Sequence, residues 1–285
     1  MKYKGRRQSS NIEDRRGMST SRKVGIGGGI GSVVIALVII LLGGDPEAAM
    51  ELMNSGSGYQ ETAVEYQPTP HEQELAEFVS VVLADTEDVW HMLFSNSGLE
   101  YREPRLVLFS GQVESACGFS AAATGPFYCP GDERVYIDLL FLDQLQDQLG
   151  AQGDFAIAYI IAHEVGHHVQ KLLGTLEQVY GQRQTVSEKK FNELTVRLEL
   201  QADFYAGVWA HYAQKMKNIL EEGDVQEAMN AAGAVGDDRL QMKSRGYVVP
   251  DSFTHGTSAQ RMNWFKKGFS TGDVNQGDTF GRNAI

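Results

Sequence analysis

From His71 to about Phe94, apolar residues (Leu75, Phe78, Val79, Val82, Trp90, Leu93) recur every three to four positions, the period of an amphipathic helix. The same period returns from Phe155 to about Leu173, where Gly174 is placed to stop it, and from Ser187 to about Ile219. Shorter helices are predicted at Asp224–Ala234 and Thr257–Gly268. Two stretches read as strands instead, Arg105–Ser110 (RLVLFS) and Glu133–Leu140 (ERVYIDLL), the second partly alternating. Residues 45–70 sustain no period, and their small, polar composition reads as a tether. Val24–Gly44 is apolar throughout, 21 positions without a charge, which is long enough to cross a bilayer as a helix. The pattern predicts an α+β body, helix-dominated with a small sheet, over 71–285, preceded by one transmembrane helix. No solenoid repeat interrupts it.

With 42% hydrophobic and 22% charged residues in 285, the composition is that of a chain that folds. The net charge of -12 is uneven, because residues 1–23 carry eight Lys/Arg against Glu13 and Asp14. That stretch is +6 and the remainder -18, so the acidic body excludes nucleic acid as the main partner. Beside an apolar span, the basic stretch fits the positive-inside rule. Residues 1–23 are then a cytoplasmic tail, 24–44 a single-pass membrane anchor, 45–70 the tether, and 71–285 an extracytoplasmic domain. A cleaved signal peptide and a buried core helix are the competing readings of 24–44. The pairs Gly25/Gly29 and Gly27/Gly31 have the small-xxx-small spacing through which a homodimer could pack in the membrane. Cys117 and Cys129 could close a disulfide if the body lies outside the cytoplasm, or stand as two buried free thiols.

The chemistry lies in IIAHEVGHHVQ, within the second helix. His163 and His167 are four apart, about 40° around a helix, so both imidazoles can share one metal, whereas His168 stands about 140° from His163. Neutral imidazole suits zinc, and Glu164 beside the first ligand can act as general base on a zinc-activated water. The longer pattern with a third histidine fails, since Gln170 stands at its glycine position and Leu173 at its final histidine. Downstream, RLELQADFYAG places Glu199 and Asp203 on one helix face. Glu199 can complete a two-His, one-Glu site, and Asp203 can hydrogen-bond a ligand imidazole. Both could equally be ordinary carboxylates of a helix surface. His71, His91 and His211 have no partner pattern, and Trp90, Trp209 and Trp264 read as core aromatics.

Together with GRRQSSNIEDRRG at the start, SACG, GPFYCP and VYIDL in the middle, and SFTHGTSAQR near the end, these motifs make the chain resemble the bacterial neutral zinc metallopeptidases nearly end to end. The resemblance implies a zincin-like peptidase domain with His163, His167 and Glu199 as zinc ligands, Glu164 catalytic, a protein or peptide substrate, and the inner membrane as its place. The stretch Glu199–Asp203 is also similar to the E-x-x-A-D of membrane-associated zinc proteases. Those relatives carry a later His-Pro followed by Arg. Here His255 and Arg261 keep the spacing with Gly256 in place of proline, which implies an oxyanion role for His255 and a brace on Glu199 for Arg261. Tyr128 and Tyr136 are further oxyanion candidates, and the strand at Val135–Leu139 is a candidate edge for an extended substrate. Two rival functions use the same residues: a silent zinc-fold scaffold, and a zinc amidase acting on a cell-wall substrate.

Overall fold

The computed structural model describes residues 1–18, 66–121, 125–142 and 153–281. Contacts divide the chain into Met1–Arg16 with Pro68–Ile285, and Gly17–Gln67, which lies almost wholly outside the described residues. The predicted anchor Val24–Gly44, its glycine pairs and most of the tether lie there too. Among the described residues, no helix is long and apolar enough to cross a membrane.

The first unit is α+β with helix predominating. Helix α1 (Pro70–Asn96) starts at a capping box formed by Thr69 and Glu72 with Pro70 in its first turn. Helix α2 (Asp154–Leu172) is followed by the short α3 (Thr175–Tyr180). The long α4 (Glu188–Lys217) opens where the Ser187 side chain accepts the Lys190 N–H and closes at Asn218 in the left-handed region. After α5 (Asp224–Ala234) and α6 (Asp237–Arg245), a second capping box, Thr257 with Gln260, opens α7 (Ser258–Thr271).

Among the described residues, six short strands make two sheets. The larger has the order β1 (Ile12–Asp14), β2 (Arg105–Phe109), β6 (Arg134–Asp138), β5 (Phe127–Cys129). Its first three strands are parallel, and β5 runs antiparallel to β6 along the free edge. Alternation assigns the faces, with Leu106, Leu108, Val135 and Ile137 joining the main helical core. Val107, Phe109 and Tyr136 form a smaller cluster with Val113 and Cys129. The other sheet is the hairpin of β3 (Gln112–Ser115) and β4 (Gly118–Ala121).

Close helix contacts are set by glycine. A Cβ on Gly166 of α2 would stand 3.0 Å from the Ala202 carbonyl oxygen of α4. Gly207 of α4 and Gly268 of α7 face each other so tightly that a Cβ on either would meet backbone oxygen of the other helix at 2.1 Å. These approaches bring Glu199 and Asp203 to α2 and Arg261 to Asp203.

Met1–Arg16 is part of the same compact unit as the body, since β1 pairs with β2 from Ile12↔Leu106 to Asp14↔Leu108. Its arginines Arg6 and Arg7 pair with acids of α1. Asp85 and Glu87 of α1 are almost fully buried. Arg6 bonds Asp85 at 2.5 Å, Arg7 bonds Glu87 at 2.8 Å and also Asp88, and Lys217 joins Asp85 at 2.8 Å. Buried carboxylates need such partners. The Met1 ammonium in turn lies 2.7 Å from Asp154 at the start of α2 and 2.9 Å from Glu221.

Cys117 and Cys129 are joined by a disulfide with Cα atoms 5.8 Å apart, tying the β3–β4 turn to the end of β5. Closing a loop of this length stabilises by about 3 kcal/mol. Replacing both cysteines with serine is therefore expected to lower the urea midpoint by that equivalent, and dithiothreitol to move the wild type to the same midpoint. A midpoint unchanged in both would show that the bond contributes nothing.

Candidate metal centre

His163, Glu164 and His167 lie on α2, and the rings of the two histidines stand edge to face with centroids 4.8 Å apart. Glu199 comes from α4, with one carboxylate oxygen 3.2 Å from His163 Nε2 and the other 3.4 Å from His167 Nε2. Two atoms bound to one zinc at ~2.0–2.1 Å in tetrahedral geometry stand about 3.3–3.4 Å apart. The spacing is that of a ligand set, and the donor chemistry, two imidazoles and a carboxylate, suits zinc with a position left for water.

Each imidazole is turned by its second nitrogen. His163 Nδ1 lies 2.8 Å from Asp203 Oδ1, so the proton sits on Nδ1 and the Nε2 lone pair faces Glu199. His167 Nδ1 donates to Gln170 Oε1 at 2.9 Å, and the Gln170 amide donates to the Leu198 carbonyl at 2.7 Å. The residue that breaks the longer histidine pattern thus orients the second ligand.

Asp203 is completely buried and saturated. Besides His163 it accepts from the Tyr159 hydroxyl at 2.5 Å and from Arg261, whose Nε reaches Oδ2 at 2.8 Å and whose Nη2 reaches Oδ1 at 3.0 Å. Burial alone would raise its pKa, but the Arg261 guanidinium and His163 reverse this and hold it below the ordinary carboxylate value. Glu199 is likewise held well below its ordinary value, against burial, by His167 and His163. Burial would lower the His163 pKa, yet the carboxylates of Asp203 and Glu199 push it up to about 10. A field that favours protons on these imidazoles favours a divalent cation among them.

Of the remaining predicted residues, Arg261 is corrected in its partner, since it braces Asp203 and Tyr159 rather than Glu199. Glu164 is 8% exposed, lines the cleft beside the ligands, and has no hydrogen-bond or ion-pair partner among the described residues. His255 lines the same cleft. Its loop is held by Asp237, whose Oδ2 accepts the N–H groups of Thr254, His255 and Gly256 at 2.8, 2.6 and 3.0 Å, while Oδ1 lies 3.3 Å from His255 Nδ1. The hydrogen bond to Asp237 raises the His255 pKa above its ordinary value.

Tyr136 is fully buried with its hydroxyl on Asp132 at 2.7 Å, which removes it as an oxyanion candidate. The Tyr128 hydroxyl lies 2.9 Å from His168 Nδ1, whose other nitrogen meets the Arg102 carbonyl at 2.7 Å, so both His168 nitrogens are engaged away from the ligand set. The edge that faces the cleft is β5, not the Val135–Leu139 strand, because β6 is covered on both sides by β2 and β5. Tyr159, Gln170 and Asp237 were missed in the sequence. Tyr159 and Gln170 stand one turn from the ligands on α2, a signal that was available, whereas nothing local marks Asp237.

A match to the family described as "Putative neutral zinc metallopeptidase" covers residues 1–280, β1 included. The Escherichia coli K12 protein named "Uncharacterized protein YpfJ" is 48% identical over 99% of both chains. The Mycobacterium tuberculosis H37Rv protein named "Uncharacterized protein Rv2575" is 46% identical over 63% of each. No solved structure matches the chain. With its ligand geometry and a family match over nearly its whole length, the chain belongs to this zinc metallopeptidase family, and zinc is the cofactor the family implies.

Proposed function

We propose that the protein is a zinc-dependent endopeptidase. The observation that carries the reading is a Glu164 carboxylate, unpaired among the described residues, in a cleft beside three converged ligands, His163, His167 and Glu199. When bound, zinc supplies a Lewis acid and lowers the pKa of a water enough for it to act as nucleophile near neutral pH. Glu164 takes a proton from the attacking water and returns it to the leaving amine nitrogen. His255 donates to the carbonyl oxygen as negative charge develops there, and Asp237 fixes the tautomer and place of that imidazole. Residues Gly125–Tyr128, leading into the edge strand β5, offer backbone groups to an extended peptide.

The test is metal removal. A chelator is expected to abolish cleavage of a peptide mixture and to lower the melting temperature, and added zinc to restore both. Zinc should also leave as pH falls, because protons compete for the imidazoles. A zinc-loaded protein that cleaves no peptide would favour the scaffold reading, and one that releases products only from cell-wall amides would favour the amidase.

Asp237→Asn offers a finer check. A raised pKa keeps His255 cationic to higher pH, so activity that needs the cation is lost as pH rises through that pKa. Without the aspartate charge, the alkaline limb of the kcat/KM profile is expected to move to lower pH, with kcat falling up to about a hundredfold and zinc retained. An unchanged profile would remove His255 from the mechanism.

We further infer that residues 1–16 and the body fold together in an oxidising compartment outside the cytoplasm, on the strength of the Cys117–Cys129 disulfide.

A further inference from the structure

The cleft over the metal centre has a volume of about 570 Å³, and its walls on either side of the ligands are apolar. Ile160 stands one turn before His163 on α2, and Phe141, Val235 and Leu240 line the same cleft from the segment after β6, the end of α5 and α6. At the other end of α2, Leu176 and Tyr180 of α3 line the same cleft. The charged residues and histidines of the lining, among those described, are Glu164, Glu199, Arg261, His163, His167 and His255. All belong to the ligand set or its chemistry, and the Arg261 guanidinium is 3% exposed and taken up by Asp203. The described cleft therefore holds no spare charge for a substrate side chain.

We infer that the site selects bonds flanked by bulky apolar residues, through an apolar subsite at each end of the metal-bearing turn of α2. The inference rests on the endopeptidase reading and adds the substrate class. A charged side chain entering either subsite loses its hydration without gaining a partner, whereas a Leu or Phe side chain is removed from water against Ile160 and Leu240 or against Leu176 and Tyr180. Catalytic selection follows the difference in transition-state binding, so burial of one such side chain separates apolar from charged substrates by about ten- to a hundredfold in kcat/KM.

Leu240 is the position at which to alter the preference, since it is half-buried on the short helix α6, lines the cleft and is not itself one of the metal-binding residues. The zinc-loaded full chain is incubated with a randomised peptide mixture and the cleavage positions are read by mass spectrometry. Leu, Ile, Met, Phe and Tyr are expected beside the scissile bond at least about tenfold more often than Asp, Glu, Lys or Arg. Leu240→Lys, with zinc content and melting temperature as in the wild type, is expected to shift one flanking position toward Asp and Glu by a similar factor. Cleavage without side-chain preference, or enriched at charged residues, overturns the inference and leaves the endopeptidase reading standing. So does a Leu240→Lys profile identical to that of the wild type. A zinc-loaded protein that cleaves nothing in the mixture overturns both.

Discussion

Replacing Glu164 with glutamine is expected to lower kcat by about 10²–10⁴-fold while zinc content stays that of the wild type. Glutamine preserves the size and polarity of a side chain that is 8% exposed and makes no hydrogen bond among the described residues. Nothing in the packing should notice the change. What disappears is the capacity to accept a proton, and the neighbouring ligands do not share that duty, because both histidines have their second nitrogens committed, to Asp203 and Gln170. Peptide turnover and metal content measured on the same sample separate the outcomes. Wild-type turnover in the glutamine variant would remove Glu164 as base, and loss of zinc would make it a structural residue of the site.

Asp203→Ala is expected to be the most damaging single change to the fold around the metal. It removes one carboxylate but strands three groups: the Arg261 guanidinium, the Tyr159 hydroxyl and His163 Nδ1. A buried cation left without its partner costs about 3–5 kcal/mol, and an unanchored ligand imidazole costs about 10–100-fold in metal affinity. The denaturant midpoint and the zinc dissociation constant should both move. Because the pKa of Asp203 is held below the ordinary carboxylate value, its contribution is present at neutral pH and is lost as pH falls through that lowered pKa. The wild type should therefore lose its advantage over the variant in acid. Arg261→Met in the Asp203→Ala background should recover part of the stability, since an apolar replacement removes the stranded charge. If the double variant is no more stable than the single one, the stranded cation is not the source of the loss.

Much of the centre was legible because helical spacing is a local property. His163 and His167 on one face, and Glu199 and Asp203 on another helix, follow from residues four apart. The helices that were predicted match to within a few positions, with Asp224–Ala234 recovered at both ends, but the short α3 and α6 were not predicted. The strands of the edge sheet were harder. β1 and β5 are three residues each, and three residues carry no period. The partners of the basic opening segment were hidden for a more instructive reason. Arg6 and Arg7 beside an apolar stretch look like a topological signal, and their partners Asp85 and Glu87 lie some eighty positions away on α1. The clue was on that helix, where two acids interrupt an apolar face and so require cations from elsewhere. Asp237 illustrates the limit of local reading, because its three backbone contacts exist only once the loop 254–256 has folded over it.

The parallel pairing of β1 with β2 also dictates an order of events during synthesis. Ile12 leaves the ribosome long before Leu106, its register partner, and the chain between them must be made before the two can meet. Closing so long a loop is entropically slow, so β1 completes the sheet after the local helices have formed. Until then the outer edge of β2 offers unpaired backbone groups, and the β1 of a neighbouring chain has the same sequence and fits it equally well. High local concentrations of nascent protein should therefore favour strand exchange between copies, a route to swapped dimers that requires no change in the native contacts.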